Sequence, residues 1–196
     1  MYIQGQGKGY DRQPDFSIGI SNTFTYKSFA LSFLLDIRKG GDVMNATQNY
    51  LTQKGLSTMT LDRLTPRIVT GVLQDGKENT ANPTLNNISI TPFYQNTYYS
   101  SLSEELFIEQ NINWVRLKDV TLQYRLPQTL LSKQRFFKSA SVFVTGTDLF
   151  LITNYSGLDP VVNGNTAAVG GSGASGIDYG NFPIPIGLNF GVKIGL

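Results

Sequence analysis

The chain has 196 residues, with 16 Lys and Arg, 14 Asp and Glu, no His and no Cys. The missing residue types exclude, within this chain, a disulfide framework, a thiol nucleophile, a Ser-His-Asp triad and an imidazole zinc site. A net charge of only +2 gives no electrostatic footprint for nucleic acid. Charged residues make up 15%, against about 25% in ordinary soluble domains, and ten Tyr, twelve Phe and 20 Gly accompany them. This composition is typical of an outer-membrane β-barrel, with a polar lumen, an apolar exterior and aromatic girdles.

The hydropathy of the chain excludes a membrane-spanning helix, because no apolar run approaches the roughly 18 residues that such a helix needs. The segment from Met1 to Gly5 has neither the basic start nor the apolar stretch of a secretory signal peptide. Two interpretations follow: the protein is cytosolic, or the chain lacks the front of a longer exported protein. The strand pattern favours the second interpretation.

The first two predicted strands form a hairpin. Residues 15–26 and 28–38 each alternate between apolar and polar side chains, and only a short turn at Lys27 separates them. Such period-2 patterns predict antiparallel strands. Each segment has about 11 residues, which is longer than the usual 5–6 of soluble strands and matches the length of strands that cross a membrane obliquely.

The segment 39–111 is predicted to have local structure but no long strand. A Gly-Gly pair ends the second strand, and Asp42 is expected to cap a short helix. Pro residues and Asp-Gly and Asn-Pro pairs then interrupt the chain repeatedly. Tyr94, Tyr98 and Tyr99 form a polar aromatic cluster near the end of this segment.

Three more alternating strands are predicted over residues 112–126, 139–152 and 184–196. In the first of these, Trp114 shares its parity with Val120 and Leu122, so the three side chains are expected on one face.

The connections between the five strands alternate in length: a tight turn at 27, then 39–111, 127–138 and 153–183. Outer-membrane barrels show this asymmetry, with short periplasmic turns and long external loops. If the chain ends on the periplasmic side, 39–111 and 153–183 are both external. Five strands cannot close a membrane barrel, for which about eight is the minimum, and open edges are not tolerated in lipid. We therefore expect further polypeptide, before Met1.

Several longer motifs go beyond alternation. In chain order they are 14–16 (Pro-Asp-Phe), 24–29 (Phe-Thr-Tyr-Lys-Ser-Phe), 40–43 (Gly-Gly-Asp-Val), 113–127 (Asn-Trp-Val-Arg-Leu-Lys-Asp-Val-Thr-Leu-Gln-Tyr-Arg-Leu-Pro), 141–150 (Ser-Val-Phe-Val-Thr-Gly-Thr-Asp-Leu-Phe), 155–160 (Tyr-Ser-Gly-Leu-Asp-Pro) and 178–183 (Asp-Tyr-Gly-Asn-Phe-Pro). Through these motifs essentially the whole chain resembles the end of the SusC/RagA-type TonB-dependent outer-membrane transporters. One departure is Leu196, because members of that family usually end in Phe.

The resemblance implies an all-β fold in which residues 1–196 are the C-terminal barrel segment, without a plug domain. A complete relative is implied to be a barrel of about 22 strands, filled by an N-terminal plug. Its implied partners are a SusD-like surface lipoprotein that forms a lid, TonB–ExbB–ExbD acting through the missing N-terminal part, and outer-membrane lipid. The implied cargo is an oligosaccharide or a peptide.

No catalytic residue, cofactor or metal is expected. The adjacent carboxylates Glu104 and Glu105 point apart on either a helix or a strand, so they do not form a glycosidase pair. The glycine-rich run 170–173 lacks the Lys-Ser/Thr ending of a phosphate loop and is predicted to be a flexible external loop.

Six side chains in the two external loops are predicted to contact substrate: Tyr94, Tyr98, Tyr99, Asp159, Asp178 and Tyr179. An aromatic face suits the apolar face of a pyranose, and an Asp can bind a hydroxyl or a cation. Loop packing or contact with the lid lipoprotein is the alternative for the tyrosines, and capping of turns is the alternative for the aspartates. Trp114 and Tyr155 are predicted to lie in the membrane-interface belt.

Apolar side chains on one face of the strands are predicted to point to lipid and so to be exposed in this chain. They are Phe16, Ile18, Phe29, Leu31, Phe33, Leu122, Tyr124, Leu188, Phe190, Val192 and Ile194.

Two other functions stay open at this point. A soluble β-sandwich that binds carbohydrate would also have alternating strands, since these can face a core. A truncated product without autonomous function is the other possibility. Strand length, the one-sided long loops and the motifs favour the transporter.

Overall fold

The computed structural model describes residues 9–95, 97–132, 136–161 and 176–195, which fall into two compact units. The sheet unit consists of the described residues within 12–42, 110–161 and 182–195, and the loop unit of those within 9–11, 43–109 and 176–181. The run 170–173 and Leu196, on which predictions were made above, lie outside the described residues. None of the helices in the described ranges has the length and apolar character needed to span a membrane.

Five long strands form one antiparallel sheet in the sheet unit. They are β1 (Phe16–Tyr26), β2 (Phe29–Lys39), β7 (Trp114–Arg125), β8 (Ser139–Thr153) and β10 (Gly187–Gly195). Neighbours in the sheet are neighbours among these strands along the chain, in the order β1-β2-β7-β8-β10. The predicted antiparallel meander of five strands is therefore confirmed, with strand bounds within three residues of those predicted.

The hairpin of β1 and β2 turns over two residues, Lys27 and Ser28, and pairs Tyr26 with Phe29. Lys27 has φ 52°, in the left-handed region that two-residue hairpin turns require. Between β7 and β8 lies a short helix, α2 (Gln128–Leu131), which follows Pro127.

Apolar side chains of all five strands occupy one face of the sheet. One cross-strand row consists of Phe24, Leu31, Leu122, Val144 and Phe190, and the next of Tyr26, Phe29, Tyr124, Val142 and Val192. This face carries a groove of about 530 Å³ with a mainly apolar lining.

The prediction of exposed apolar side chains is confirmed for nine of the eleven residues, whose exposed fractions run from 39% to 78%. The other two, Phe33 and Tyr124, are half-buried by their neighbours in the sheet. The described part of the sheet unit contains a single sheet, so no second layer covers the apolar face as it would in a sandwich.

The opposite face is polar and internally hydrogen-bonded. The Thr121 and Thr145 hydroxyls lie 2.7 Å apart on adjacent strands, and the Gln123 amide donates to Ser141 Oγ at 2.9 Å. On β10, Gly191 lies beneath the Phe143 ring, and a Cβ at this position would overlap that ring. Any other residue here would have to displace Phe143, so glycine allows the ring to keep this position between β8 and β10.

A β-bulge in β7 corrects the predicted facing of Trp114. The pairing of β2 with β7 shifts register around Lys118, the extra residue, and Trp114 pairs with Arg38. One inserted residue moves all preceding side chains to the opposite face. The predicted grouping of Trp114 with Val120 and Leu122 is wrong for this reason, and Trp114 lies on the polar face.

The loop unit is built from short elements. They are β3 (Val43–Asn45), α1 (Ala46–Gln53), β4 (Arg67–Ile68), β5 (Ser89–Ile90), β6 (Ile108–Glu109), β9 (Ile177–Asp178) and 3₁₀ turns at Thr58–Thr60, Pro92–Tyr94 and Glu104–Phe107. Strands β6, β3 and β9 form one small sheet, and β4 and β5 form another. No strand of the described loop unit exceeds three residues, in agreement with the prediction for 39–111.

Helix α1 begins later than the sequence suggested. Asn45, rather than Asp42, caps it, because the Asn45 side chain accepts a hydrogen bond from Gln48 N–H at 2.9 Å. The predicted cap at Asp42 is wrong because β3 intervenes, and the Asp42 carboxylate accepts from Asn111 N–H instead, at 3.2 Å.

Candidate ligand-contact site

Two exposed tyrosines from distant parts of the chain meet in the loop unit. Tyr50 lies on the exposed side of α1, and Tyr179 follows β9 directly. Their ring centroids are 6.4 Å apart and their planes are inclined by 64°, which is an edge-to-face arrangement. The two rings form an aromatic corner, which we define as Tyr50 and Tyr179.

The aromatic corner is held in place by Asp178, which is buried beneath it. The Thr47 hydroxyl donates to the Asp178 carboxylate (3.1 Å) and accepts from the Gly180 backbone N–H (2.6 Å). The Asn181 N–H also donates to that carboxylate, at 3.3 Å. The backbone of Asp178 adds a parallel strand to β3, just before α1. These bonds join the turn that carries Tyr179 to the helix that carries Tyr50.

Replacing Thr47 by Val should loosen the turn that carries Tyr179. The change keeps the shape of the side chain but removes the hydroxyl, so Gly180 N–H loses its partner and Asp178 loses a donor. We expect the local opening free energy to fall by about 1 kcal/mol. Hydrogen exchange of the amides in 176–181 measures this directly. Thr47→Ser keeps the hydroxyl and should exchange like the parent protein; equal exchange in both variants would contradict the assigned role.

A cation lies beside the aromatic corner. The Lys54 ammonium is 5.4 Å from the centroid of the Tyr50 ring, at the C-terminal end of α1. Lys54 is exposed, and among the described residues no carboxylate forms an ion pair with it. An exposed cation near a tyrosine ring is weakly attracted to it and keeps its donors available.

The three tyrosines predicted as one cluster separate into two groups: Tyr94 pairs with Phe93, and Tyr98 pairs with Tyr99. Tyr94 is 72% exposed and packs edge-to-face on Phe93. Tyr98 is buried and packs edge-to-face on Tyr99, with ring centroids 5.0 Å apart. Tyr94 therefore presents an open surface, whereas Tyr98 is part of the interior of the loop unit.

An ion pair borders the Tyr98–Tyr99 pair. The Arg67 guanidinium lies 5.8 Å from the centroid of Tyr98 and 2.7 Å from the Asp62 carboxylate. The hydrogen bond from Arg67 holds the pKa of Asp62 below its usual value. Burial raises the pKa of the Tyr99 phenol above its usual value.

Asp159 lies in the sheet unit, where it is buried in an ion-pair cluster. Its carboxylate accepts from Arg116 Nη2 at 2.5 Å, from Val161 N–H at 2.9 Å and from Ile184 N–H at 3.2 Å. A second carboxylate, that of Asp148, is 3.4 Å from Arg116 Nη1. This cluster ties β7 and the end of β8 to the segment that leads into β10. The Asp159 oxygens are engaged within the protein, and this arrangement favours a structural role.

Trp114 and Tyr155, predicted in the membrane-interface belt, are both buried. The Trp114 indole N–H donates to Asp36 at 3.3 Å, and the Arg38 guanidinium stacks on the ring, 4.8 Å from its centroid. The belt prediction is wrong for these two residues. The prediction fails for Trp114 because the bulge at Lys118 moves the indole to the polar face.

The described residues contain no cluster of three or more carboxylates that could hold a metal ion. The loop unit has groups that can bind a ligand, namely exposed phenol rings, an ammonium group and polar backbone atoms of the loops.

Sequence reasoning assigned no ligand contact to Tyr50 or Lys54, and it did not identify the buried ion pairs of Arg116. Tyr50 lies four residues after the buried Ala46, so helical spacing places it on the same face and does not predict its exposed ring. No local signal pairs it with Tyr179, which is more than a hundred residues away. The face of Arg116 does not follow from parity with Val120 and Leu122, because the parity of β7 is broken at Lys118.

Comparisons with known proteins place the chain beside TonB-dependent receptors. No family model matches it. The chain is 28% identical over 184 residues to TonB-dependent receptor P3 of Formosa agariphila, covering 91% of this chain and 16% of that protein. It is 28% identical to TonB-dependent receptor P26 and 27% to TonB-dependent receptor P39 of the same organism. The chain thus spans about a sixth of the length of the curated relatives it matches.

Solved structures with the same fold include those of a peptide importer. The RagAB peptide importer in its closed-closed state matches with a TM-score of 0.60 and 19% identity, over 94% of this chain and 18% of the matched chain. Its open-open state matches with a TM-score of 0.60 and 18% identity. Together with the curated relatives, these matches confirm the predicted resemblance to TonB-dependent receptors of the SusC/RagA type.

Proposed function

We propose that this chain is the C-terminal barrel segment of an outer-membrane, TonB-dependent importer, and that it has no enzymatic activity of its own. The observation that carries the proposal is the uncovered apolar face of the five-stranded sheet, opposite a polar face with its own hydrogen bonds. Side chains on such a face need lipid, since a five-stranded face of exposed Leu, Val and Phe is not stable against water.

In the complete protein the apolar face contacts outer-membrane lipid, and the edges β1 and β10 pair with further strands of a barrel of about 22. The polar face lines the lumen, next to a plug domain. TonB–ExbB–ExbD supplies energy through the part of the protein that precedes this chain. The likeness to TonB-dependent receptors supports this arrangement.

The long connections 39–111 and 153–183 form the external surface of the proposed importer. Both leave the sheet from the same ends of its strands, as connections from β2 to β7 and from β8 to β10 must. They carry exposed apolar and aromatic side chains, among them Leu61, Leu64, Leu85, Phe93 and Tyr94. We propose that this surface contacts a SusD-like lipoprotein lid and an oligosaccharide or peptide cargo.

Of the six predicted substrate contacts, Tyr94 and Tyr179 have the exposure that direct contact requires. Asp178 supports Tyr179 from beneath, and Tyr98 and Tyr99 support the loop that carries Tyr94. Asp159 fixes the path of the chain into β10.

The glycine-rich part of 153–183 offers a test of the external role. In the complete protein, deleting 163–175 should leave the barrel assembled but weaken lid association and cargo uptake severalfold. Assembly is followed by heat-modifiable migration on gels, and lid association by co-purification from the outer membrane. A Gly-Ser segment of equal length is the matched control, and it separates loss of length from loss of sequence. Unchanged uptake and unchanged lid association in the deletion would remove the proposed role of this loop.

A further inference from the structure

We propose that the aromatic corner, together with Lys54, is a binding subsite for an acidic saccharide ring, such as a hexuronate unit of an oligosaccharide. The inference rests on the proposed function, because it assigns a cargo class to the external loops. It adds two residues, Tyr50 and Lys54, to those predicted from the sequence.

The geometry of the corner suits a ring with apolar C–H groups on one face. Tyr50 and Tyr179 are each close to half exposed, at 49% and 40%, so part of each ring is open to solvent. Their planes are inclined by 64°, so the two rings present differently oriented surfaces and do not form one flat patch. A saccharide ring placed against both contacts one phenol ring by its C–H face and the other by its edge.

The polar groups at the corner suit the hydroxyl and carboxylate groups of such a ring. Among the described residues, the Tyr50 and Tyr179 hydroxyls and the Lys54 ammonium form no hydrogen bond or ion pair within the protein. No bond among the described residues has to break for these groups to bind a ligand. The ammonium, 5.4 Å from the Tyr50 centroid, is within reach of a carboxylate on a sugar that stacks on that ring.

The corner is also preorganised. Tyr50 is fixed by a helix, and Tyr179 follows a residue whose carboxylate is held by Thr47 and Asn181. A site whose rings are already fixed loses little conformational entropy on binding. Exposed leucines elsewhere in the loop unit, such as Leu61 and Leu85, fit a protein surface better than a charged sugar.

The test uses the complete receptor that contains this chain, purified from outer membranes, with tetragalacturonate as the acidic probe and maltotetraose as the neutral probe. Isothermal titration should show tighter binding of tetragalacturonate. Tyr50→Ala and Tyr179→Ala should each weaken that binding by about three- to tenfold, the range expected when one aromatic contact is lost. Lys54→Gln should remove the preference for the acidic probe while leaving binding of maltotetraose unchanged.

Two controls are matched to these variants. Lys77→Gln removes an exposed ammonium from the hairpin of β4 and β5, and Leu56→Ala removes an exposed side chain close to α1; neither should change binding of either probe. Failure of the wild-type receptor to bind tetragalacturonate, or equal binding by wild type and the three site variants, would overturn the subsite. If TonB-dependent uptake by the receptor still decreased when 163–175 were deleted, the importer proposal would stand even though the subsite proposal had failed.

Discussion

Replacing Asp159 by Ala should destabilise the sheet unit by about 3–5 kcal/mol, because it leaves a buried guanidinium without its closest carboxylate. Arg116 is 2% exposed, and its Nε has no hydrogen-bond partner among the described residues. Asp148 is the remaining carboxylate, at 3.4 Å. The substitution also removes the acceptor for the Val161 and Ile184 amides, which hold the chain on its way into β10.

In the complete protein this loss should appear as a lower temperature at which the folded, fast-migrating form disappears on gels, or as failure of assembly. The matched control is Asp62→Ala, which breaks an ion pair with Arg67 at the protein surface. Surface ion pairs contribute little, so the control should melt like the parent. Equal melting of the Asp159→Ala and Asp62→Ala proteins would contradict the structural role given to the buried cluster.

Replacing Phe190 by Arg should cost about 2–4 kcal/mol of barrel stability, the penalty for a charged side chain facing the middle of a bilayer. Phe190 lies near the centre of β10, on the apolar face, and is 78% exposed in this chain. In lipid, an Arg side chain at this position must either lose its hydration or bring water and lipid headgroups into the hydrocarbon region of the bilayer.

The neighbouring residue supplies the control, because Asn189 lies on the same strand and points to the opposite face. Asn189→Arg should leave assembly and folding stability nearly unchanged, since its side chain points to the polar face. Folding from urea into lipid vesicles, followed by migration on gels, compares the two variants under one condition. Similar penalties for both would mean that the two faces of the sheet are in similar surroundings.

The sheet could be predicted closely because its strands follow a simple physical rule. In β10 the side chains alternate throughout, and in β1 and β2 few residues, such as Asn22 and Leu34, depart from the alternation, so the strands and their exposed apolar faces follow from parity. In β7 the rule fails at Lys118, where an inserted residue reverses the faces of Trp114 and Arg116. A bulge is set by pairing with neighbouring strands, and a single strand's sequence does not reveal it.

The candidate site could be predicted only in part, because it depends on contacts between distant segments. Tyr179 was identified from its place in a polar loop, but its partner Tyr50 became apparent only when β9 was seen to pair with β3. Asp178 and Asp159 both looked like loop carboxylates in the sequence. The structure buries both, because each accepts hydrogen bonds from backbone amides nearby and from a side chain far along the chain.

The central claim is that one face of the sheet meets lipid and the other does not, and labelling of single cysteines tests it most directly. The chain has no native Cys, so Val192→Cys and Lys193→Cys each introduce one thiol into this segment, on opposite faces of β10. In outer-membrane vesicles, Cys at position 192 should resist a water-soluble maleimide and react with a lipid-soluble one, whereas Cys at position 193 should react with the water-soluble reagent. Rapid water-soluble labelling at 192 together with protection at 193 would contradict the account.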